Sequence, residues 1–69
     1  MRELSTVELT VDLPSEGLSA GTTGVIVDVY SDPPGYEVEF VDRDGRTVAL
    51  LALEPHQVRP ARHWLGRRQ

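Results

Sequence analysis

The stretch from residue 18 to residue 60 constrains the fold of this chain more than any other feature. It contains three runs rich in apolar and β-branched residues, at positions 25–30, 36–41 and 47–53. Two short turn sequences separate these runs: Ser-Asp-Pro-Pro-Gly follows the first run, and Asp-Arg-Asp-Gly follows the second. In the first turn, we expect Gly35 to take a positive φ. Runs of this length between turn residues are typical of β-strands joined by hairpins, so we predict consecutive antiparallel strands.

Two shorter segments extend the predicted sheet. Residues 6–11 alternate polar and apolar side chains, which is the pattern of a half-buried strand. Residues 54–57, Glu-Pro-His-Gln, suit a single 3₁₀ turn, and residues 58–60 suit a short closing strand. The loop between the first two strands, about 10 residues, is long for a hairpin, and we expect it to wrap across one end of the fold. On the strand that follows this loop, alternation predicts that the valines at 25, 27 and 29 face one way, and that Ile26, Asp28 and Tyr30 face the other way.

The length of the chain limits the size of its core. Its 69 residues make one domain, and a chain this short buries only about 60% of the surface that it exposes when unfolded. There is no cysteine, so neither disulfides nor thiolate metal sites add stability. Because a single small sheet curls to cover its apolar face, we expect an all-β fold, a five-stranded SH3-like barrel, antiparallel and partly open, over residues 1–60. Residues 61–69 are expected to form a basic tail, either flexible or packed on the barrel rim or on a partner.

The charge of the chain is unevenly distributed. The net charge is −4. Residues 1–55 hold all 11 acidic residues and three arginines, which gives them a charge of −8. Residues 56–69 hold four arginines and no acid, which gives them +4. We therefore expect an acidic barrel with a basic end.

The sequence contains no targeting or membrane-spanning signal. The N-terminal residues Met-Arg-Glu-Leu-Ser do not form a charged-then-apolar leader. No apolar run approaches the roughly 20 residues that cross a bilayer. We expect a cytoplasmic protein that does not associate with membranes.

Three segments together give the chain a recognisable pattern. Gly21–Val29 (GTTGVIVDV) is followed by Tyr36–Phe40 (YEVEF) and by Leu53–Arg59 (LEPHQVR). With these segments, residues 4–60 resemble a family of short bacterial and archaeal proteins that is catalogued only as a domain of unknown function. The resemblance implies an SH3-like barrel and no established activity, and it assigns no functional residues.

The segment Gly21–Ile26 also resembles the KOW motif of ribosomal and transcription-factor barrels. That resemblance implies binding to nucleic acid. A nucleic-acid binder is expected to place cations on the following strand and turn, where this chain has Glu37, Glu39, Asp42 and Asp44. These acidic residues argue against nucleic-acid binding by the barrel; if the chain binds nucleic acid, we expect it to use the basic tail together with the KOW-like loops.

No group of residues has the spacing of a catalytic or metal site. The two histidines, His56 and His63, belong to no HxxxH or HxxE sequence and are expected to lie on the surface. The glycines lack the lysine and the following helix of a phosphate-binding loop. No serine lies in a nucleophile-elbow sequence or beside a histidine. We expect no enzyme activity, no cofactor, no metal and no small-molecule substrate.

Two outward surfaces have a composition that suits contact with a partner. Glu37 and Glu39 share one face of the third predicted strand. This face is either a solvated surface or a recognition surface for a basic partner. Residues 47–53 are apolar on both faces. When residues 49, 51 and 53 face inward, an outer stripe remains that consists of Val48, Leu50 and Ala52. Such a stripe marks an association surface, or it is covered by the N-terminal segment or by the tail.

The tail combines cations with one aromatic residue. Its candidate contact residues are Arg62, Trp64, Arg67 and Arg68. Arginine and tryptophan together are enriched at protein-interface hot spots, and they also bind single-stranded nucleic acid. A third interpretation is that Trp64 packs on the barrel rim.

These features favour a non-catalytic protein-interaction module. Such a module would act as an accessory subunit, or as an antitoxin or immunity-type protein, by binding a partner protein or a second copy of itself. The alternative is a KOW-like module that binds nucleic acid through the basic C-terminal tail, with an affinity that falls steeply with salt.

Overall fold

A computed structural model describes residues 1–61 of the chain. Its five strands are β1 (Thr6–Leu9), β2 (Thr23–Ser31), β3 (Pro34–Val41), β4 (Thr47–Leu53) and β5 (Val58–Pro60). Two 3₁₀ turns, Pro14–Glu16 and Pro55–Gln57, lie in the connections that precede β2 and β5. The all-β fold and the 3₁₀ turn before the closing strand are confirmed. The first 3₁₀ turn, inside the long loop, was not predicted.

The five strands form one antiparallel sheet in the order β4-β3-β2-β1-β5. β4 and β5 are therefore its two edges, and within the described part of the chain the sheet is not closed into a barrel. Five antiparallel strands in one open sheet are compatible with the expected SH3-like topology.

One face of the sheet, which we call the inner face, carries the core. Its buried side chains are Val7, Leu9, Ile26, Val38, Phe40, Leu53 and Val58. Leu13 and Leu18 of the long loop pack against this cluster. Their backbones pair, and the Leu13 amide donates to the Leu18 carbonyl at 2.8 Å. The loop therefore covers one end of the inner face, as expected.

A β-bulge in β2 changes which side chains face the core. Ile26 pairs with Val38, but the next residue to pair with β3 is Asp28, so Val27 is an extra residue in β2. Simple alternation, which put Ile26, Asp28 and Tyr30 on one face, is therefore wrong. The extra residue moves Asp28 to the face opposite Ile26, where it pairs with Glu37.

The two hairpin turns use their turn residues in different ways. Asp42 closes the β3–β4 turn, because its carboxylate accepts the backbone N–H groups of Asp44 at 2.9 Å and of Arg46 at 3.0 Å. Gly45 follows with φ +82°. The expectation for Gly35 is wrong, since it lies in β3 without a positive φ. A Cβ there would lie 2.9 Å from the Leu53 carbonyl oxygen, so a close approach of β3 and β4 requires this glycine.

Candidate functional site

The face of β2, β3 and β4 that points away from the core carries the candidate contact residues. Register places Glu39 between Val25 on β2 and Leu50 on β4. It places Glu37 between Asp28 and Ala52. We call this surface the outer face; it consists of Val25, Asp28, Tyr30, Glu37, Glu39, Val41, Val48, Leu50 and Ala52. The acidic pair and the apolar stripe, which were predicted as two separate surfaces, are thus adjacent.

The apolar part of the outer face lies on β4 and the end of β3. Val48 is 55% exposed, Leu50 is 54% exposed and Val41 is 51% exposed. Ala52 is exposed as well, whereas residues 49, 51 and 53 pack against or belong to the core. Leu50 and Ala52 therefore face outward as expected. Val48 is exposed as well, although it pairs with no β3 residue because the register shifts between Ala49 and Thr47. Val41 adds a residue that the sequence argument missed.

The two glutamates are held in place by hydroxyl groups from the neighbouring strands. Thr47 Oγ1 donates to Glu39 Oε2 at 2.5 Å. The Tyr30 hydroxyl donates to Glu37 Oε1. Each glutamate is partly buried as a residue and accepts one hydrogen bond from a neighbouring strand, so the two carboxylates form an ordered acidic pair on the outer face.

Tyr30 shows the electrostatic effect of this pair. Its hydrogen bond to Glu37 raises the pKa of Tyr30 to about 12, with smaller contributions from burial and from the negative charges of Glu37 and Asp28. A phenolate in this position would lose its hydrogen bond and face two carboxylates. Tyr30 therefore acts as a fixed donor across the neutral pH range.

β4 is also an open edge. Its seven residues, Thr-Val-Ala-Leu-Leu-Ala-Leu, include no charge and no proline, and they pair only with β3 within the described residues. Edge strands in natural proteins are normally protected by charges, prolines or a covering segment. An unprotected edge offers backbone donors and acceptors to an incoming strand.

Two depressions lie at the ends of the outer face. One, of about 140 Å³, lies over β1, β2 and β3, and its lining residues are Thr6, Thr23, Gly24, Val25, Glu39 and Val41. The other, of about 260 Å³, lies between the β2–β3 turn and the end of β4, next to Tyr30 and Ala52. Each is lined by an acidic residue beside apolar side chains.

An ion pair that the sequence did not reveal joins β1 and β5. Glu8 pairs in register with Arg59, and Arg59 donates to Glu8 Oε1 through Nη2 at 2.7 Å and through Nε at 2.9 Å. Glu8 is only 8% exposed. Arg59 therefore belongs to the sheet and not to a free basic tail. The two residues lie 51 positions apart, so only the β1–β5 register shows that they meet.

The contact residues predicted in the tail are not among the residues that the structure describes. Arg62, His63, Trp64, Arg67 and Arg68 lie outside the described residues, so the proposals for the tail and for nucleic-acid binding stay predictions. His56 lies on the surface, with Nδ1 3.4 Å from a Glu54 carboxylate oxygen. Residues 1–61 contain no group of three or more His, Cys, Asp and Glu side chains that could hold a metal ion. Within the same residues, no helix has the length and apolarity to span a bilayer.

Comparison with known families supports the pattern that was read from the sequence. The model of the domain of unknown function DUF4926 matches residues 3–60. The chain belongs to the DUF4926 family. The DUF4926 match covers all five strands, and it confirms the resemblance to a family without an assigned activity. No curated protein and no solved structure matches the chain.

Proposed function

We propose that this DUF4926 domain is a non-catalytic module that binds another protein through its outer face and the β4 edge. The observation that carries the proposal is the composition of β4, an edge of seven uncharged residues that pairs only with β3 within residues 1–61 and has Val48 and Leu50 more than half exposed. Exposed aliphatic side chains on an open edge are unfavourable for an isolated protein, because such edges promote aggregation. A partner that covers them removes that problem.

The outer face offers three kinds of contact to such a partner. Full burial of an aliphatic side chain contributes about 1.5–3 kcal/mol, so the exposed halves of Val48 and Leu50 offer roughly 1 kcal/mol each. The β4 backbone can add an extended segment by strand pairing, which fixes the orientation of the partner. The ordered pair Glu37 and Glu39 favours a basic partner, because complementary charge accelerates encounter and excludes wrong partners.

This combination suits an accessory subunit, or an antitoxin or immunity-type protein. Such proteins act by occupying a surface on one partner, and they need no reaction of their own. The charge of −8 on residues 1–55 further favours a partner with a basic surface.

The test is affinity purification from the native host with the full chain as bait, followed by substitution on β4. We expect one stoichiometric protein to be recovered with the wild-type chain. Leu50→Glu should abolish recovery, because it places a charge in the centre of the stripe. Leu4→Glu, at a residue that is 80% exposed and outside β4, is the matched control and should leave recovery unchanged.

Two results would refute the proposal. One is that Leu50→Glu recovers the same protein in the same amount as the wild type. The other is that the wild-type chain stays monomeric and without a partner at high concentration, as measured by light scattering.

A further inference from the structure

The larger of the two depressions combines an aromatic ring, apolar carbon atoms and two acidic residues. It measures about 260 Å³ and lies between the β2–β3 turn and the end of β4. Tyr30 and the two prolines of the turn contribute to a lining that is mostly apolar, and its acidic residues are Asp32 and Glu54. Among residues 1–61, no lysine or arginine lines it. Small-molecule sites usually measure about 300–1,000 Å³, so this depression is better matched to one long side chain.

The strand register explains how the depression is built. Tyr30 on β2 pairs with Gly35 on β3. Tyr36 pairs with Leu53, so the next step in the same register brings Glu54 to the other side of Gly35. Gly35 is buried, and a Cβ at this position would lie 3.8 Å from the Tyr30 ring. An aromatic ring and an acidic residue therefore border the depression on opposite sides, with the backbone of β3 at its base.

The two acidic residues of the depression lie in solvent. Asp32 is exposed, and the side chain of Glu54 is 72% exposed. The ion pairs within residues 1–61 join His56 to Glu54 and Arg59 to Glu8, so neither of them uses Asp32. The depression therefore presents negative charge to an incoming ligand.

The ring of Tyr30 is held in place on the outer face. Its hydroxyl donates to Glu37, and the residue is 39% exposed. Cations are attracted to the faces of aromatic rings, and long cationic side chains lay their methylene groups along apolar surface. A side chain with an aliphatic stem and a terminal cation matches this combination of ring, apolar lining and carboxylates. Lysine and arginine have that chemistry.

The open edge of β4 leads directly to this depression. A Cβ at position 35 would lie 2.9 Å from the Leu53 carbonyl oxygen, which shows that Leu53 turns its carbonyl towards β3. Successive residues of a strand turn their backbone groups to opposite sides, so Leu50 and Ala52 turn theirs to the open edge. A strand that pairs there has one residue opposite Ala52, with the two Cβ atoms about 5 Å apart on the outer face. Ala52 itself lines the depression, so the side chain of that residue starts beside it.

We propose that the depression binds a lysine or arginine side chain of an extended partner segment, carried by the residue that pairs opposite Ala52. The cation lies against the Tyr30 ring and the carboxylates of Asp32 and Glu54. This inference rests on the proposed function for the pairing of the segment with β4. It adds the chemistry of one residue of that segment and the site that recognises it.

The experiment titrates the purified, isotope-labelled full chain with n-butylguanidinium chloride at low ionic strength and follows the backbone amides by NMR. This probe carries the head and stem of an arginine side chain without a peptide backbone, so it tests the depression without strand pairing. We expect saturable shifts at Tyr30, Gly35 and Glu54. Neither 1-butanol nor sodium chloride at the same concentration should produce them. About 0.15 M sodium chloride shortens the Debye length to about 8 Å and should weaken binding of the probe.

Two matched variants locate the charge that the probe meets. Asp32→Asn should weaken binding of the probe by up to about fivefold, the upper end for an exposed ion pair. Asp44→Asn makes the same change in the β3–β4 turn and should leave binding unchanged. Asp32 is the better choice for substitution, because Glu54 also lies 3.4 Å from His56 Nδ1. The amide spectrum of each variant verifies that the sheet is intact.

The inference is overturned when the probe produces no saturable shift at these three residues, or when 1-butanol produces the same shifts. Equal weakening by Asp32→Asn and Asp44→Asn would also refute the assigned site. Recovery of a partner through Leu50 without binding of the probe would refute this inference and leave the proposed function standing. Binding of the probe without a recovered partner would support the cation site and refute the proposed function.

Discussion

The two edges of the sheet differ in how they are protected. β5 has three residues, one of them proline, and its Arg59 is bound to the nearly buried Glu8 on β1. β4 has seven residues with neither charge nor proline. Short strands, prolines and paired charges are the means by which proteins prevent unwanted strand pairing. Within residues 1–61, one edge of the sheet is protected and the other is open, which is why we propose that β4 carries the interaction.

The largest expected effect distinguishes the inner face from the outer face. Phe40 is 1% exposed, and Phe40→Ala should lower the free energy of unfolding by about 3–5 kcal/mol, enough to unfold a domain of this size. Leu50→Ala, at a residue on the neighbouring strand that is 54% exposed, should cost less than about 1 kcal/mol. Urea unfolding followed by circular dichroism measures both. Equal losses would show that the stripe on β4 belongs to the core.

The next prediction concerns the protected edge. Arg59→Ala removes the ion pair with Glu8, whose side chain is 11% exposed, and should cost about 1–2 kcal/mol, because half of the Arg59 side chain is in solvent. Arg46→Ala, in the exposed β3–β4 turn, should change stability by less than about 0.5 kcal/mol. Chemical denaturation at low and high salt provides the comparison. If the two variants have the same free energy of unfolding, the Glu8–Arg59 pair does not stabilise the β5 edge.

A charge on the open edge should separate stability from association. Leu50→Glu is expected to change the free energy of unfolding by less than about 0.5 kcal/mol, since the side chain already lies largely in solvent. Its effect should appear only in binding. Thermal unfolding of the monomer is the measurement, and a large loss of stability would mean that Leu50 supports the fold itself.

The smallest effect concerns the pH dependence of Tyr30. Because the hydrogen bond to Glu37 raises its pKa to about 12, above the value of about 10 for an unfolded chain, this bond stabilises the fold fully below pH 10. That contribution is lost as the pH rises through 12. Ultraviolet absorbance should show one tyrosine that ionises near pH 12. Glu37→Gln should bring that ionisation to lower pH, whereas Glu16→Gln should not.

Much of the fold follows from local sequence patterns. Alternation and turn residues predicted the strands, the 3₁₀ turn before β5 and the outward position of Val48, Leu50 and Ala52. The bulge at Val27 could not be predicted, because a strand with apolar residues on both faces does not show where the alternation shifts. The structural requirement for glycine at position 35 was also not predicted, since it depends on the short distance to Leu53 on another strand.

The candidate site depends more strongly on tertiary register. The sequence indicated an acidic pair and an apolar stripe, but only the β3–β4 pairing shows that Glu39 lies beside Leu50. The hydroxyl donors Tyr30 and Thr47, which fix the glutamates, come from other strands. Pairings of this kind are set by packing between distant segments, and no local pattern encodes them.

Hydrogen exchange of the full chain, alone and in complex with the protein recovered from its host, tests the assignment of the open edge most directly. Backbone amides of β4 should gain protection in the complex, while those of β5 keep the exchange rates of the free chain. Protection gained on β5, with β4 unchanged, would contradict the assignment of β4 as the surface that this protein uses.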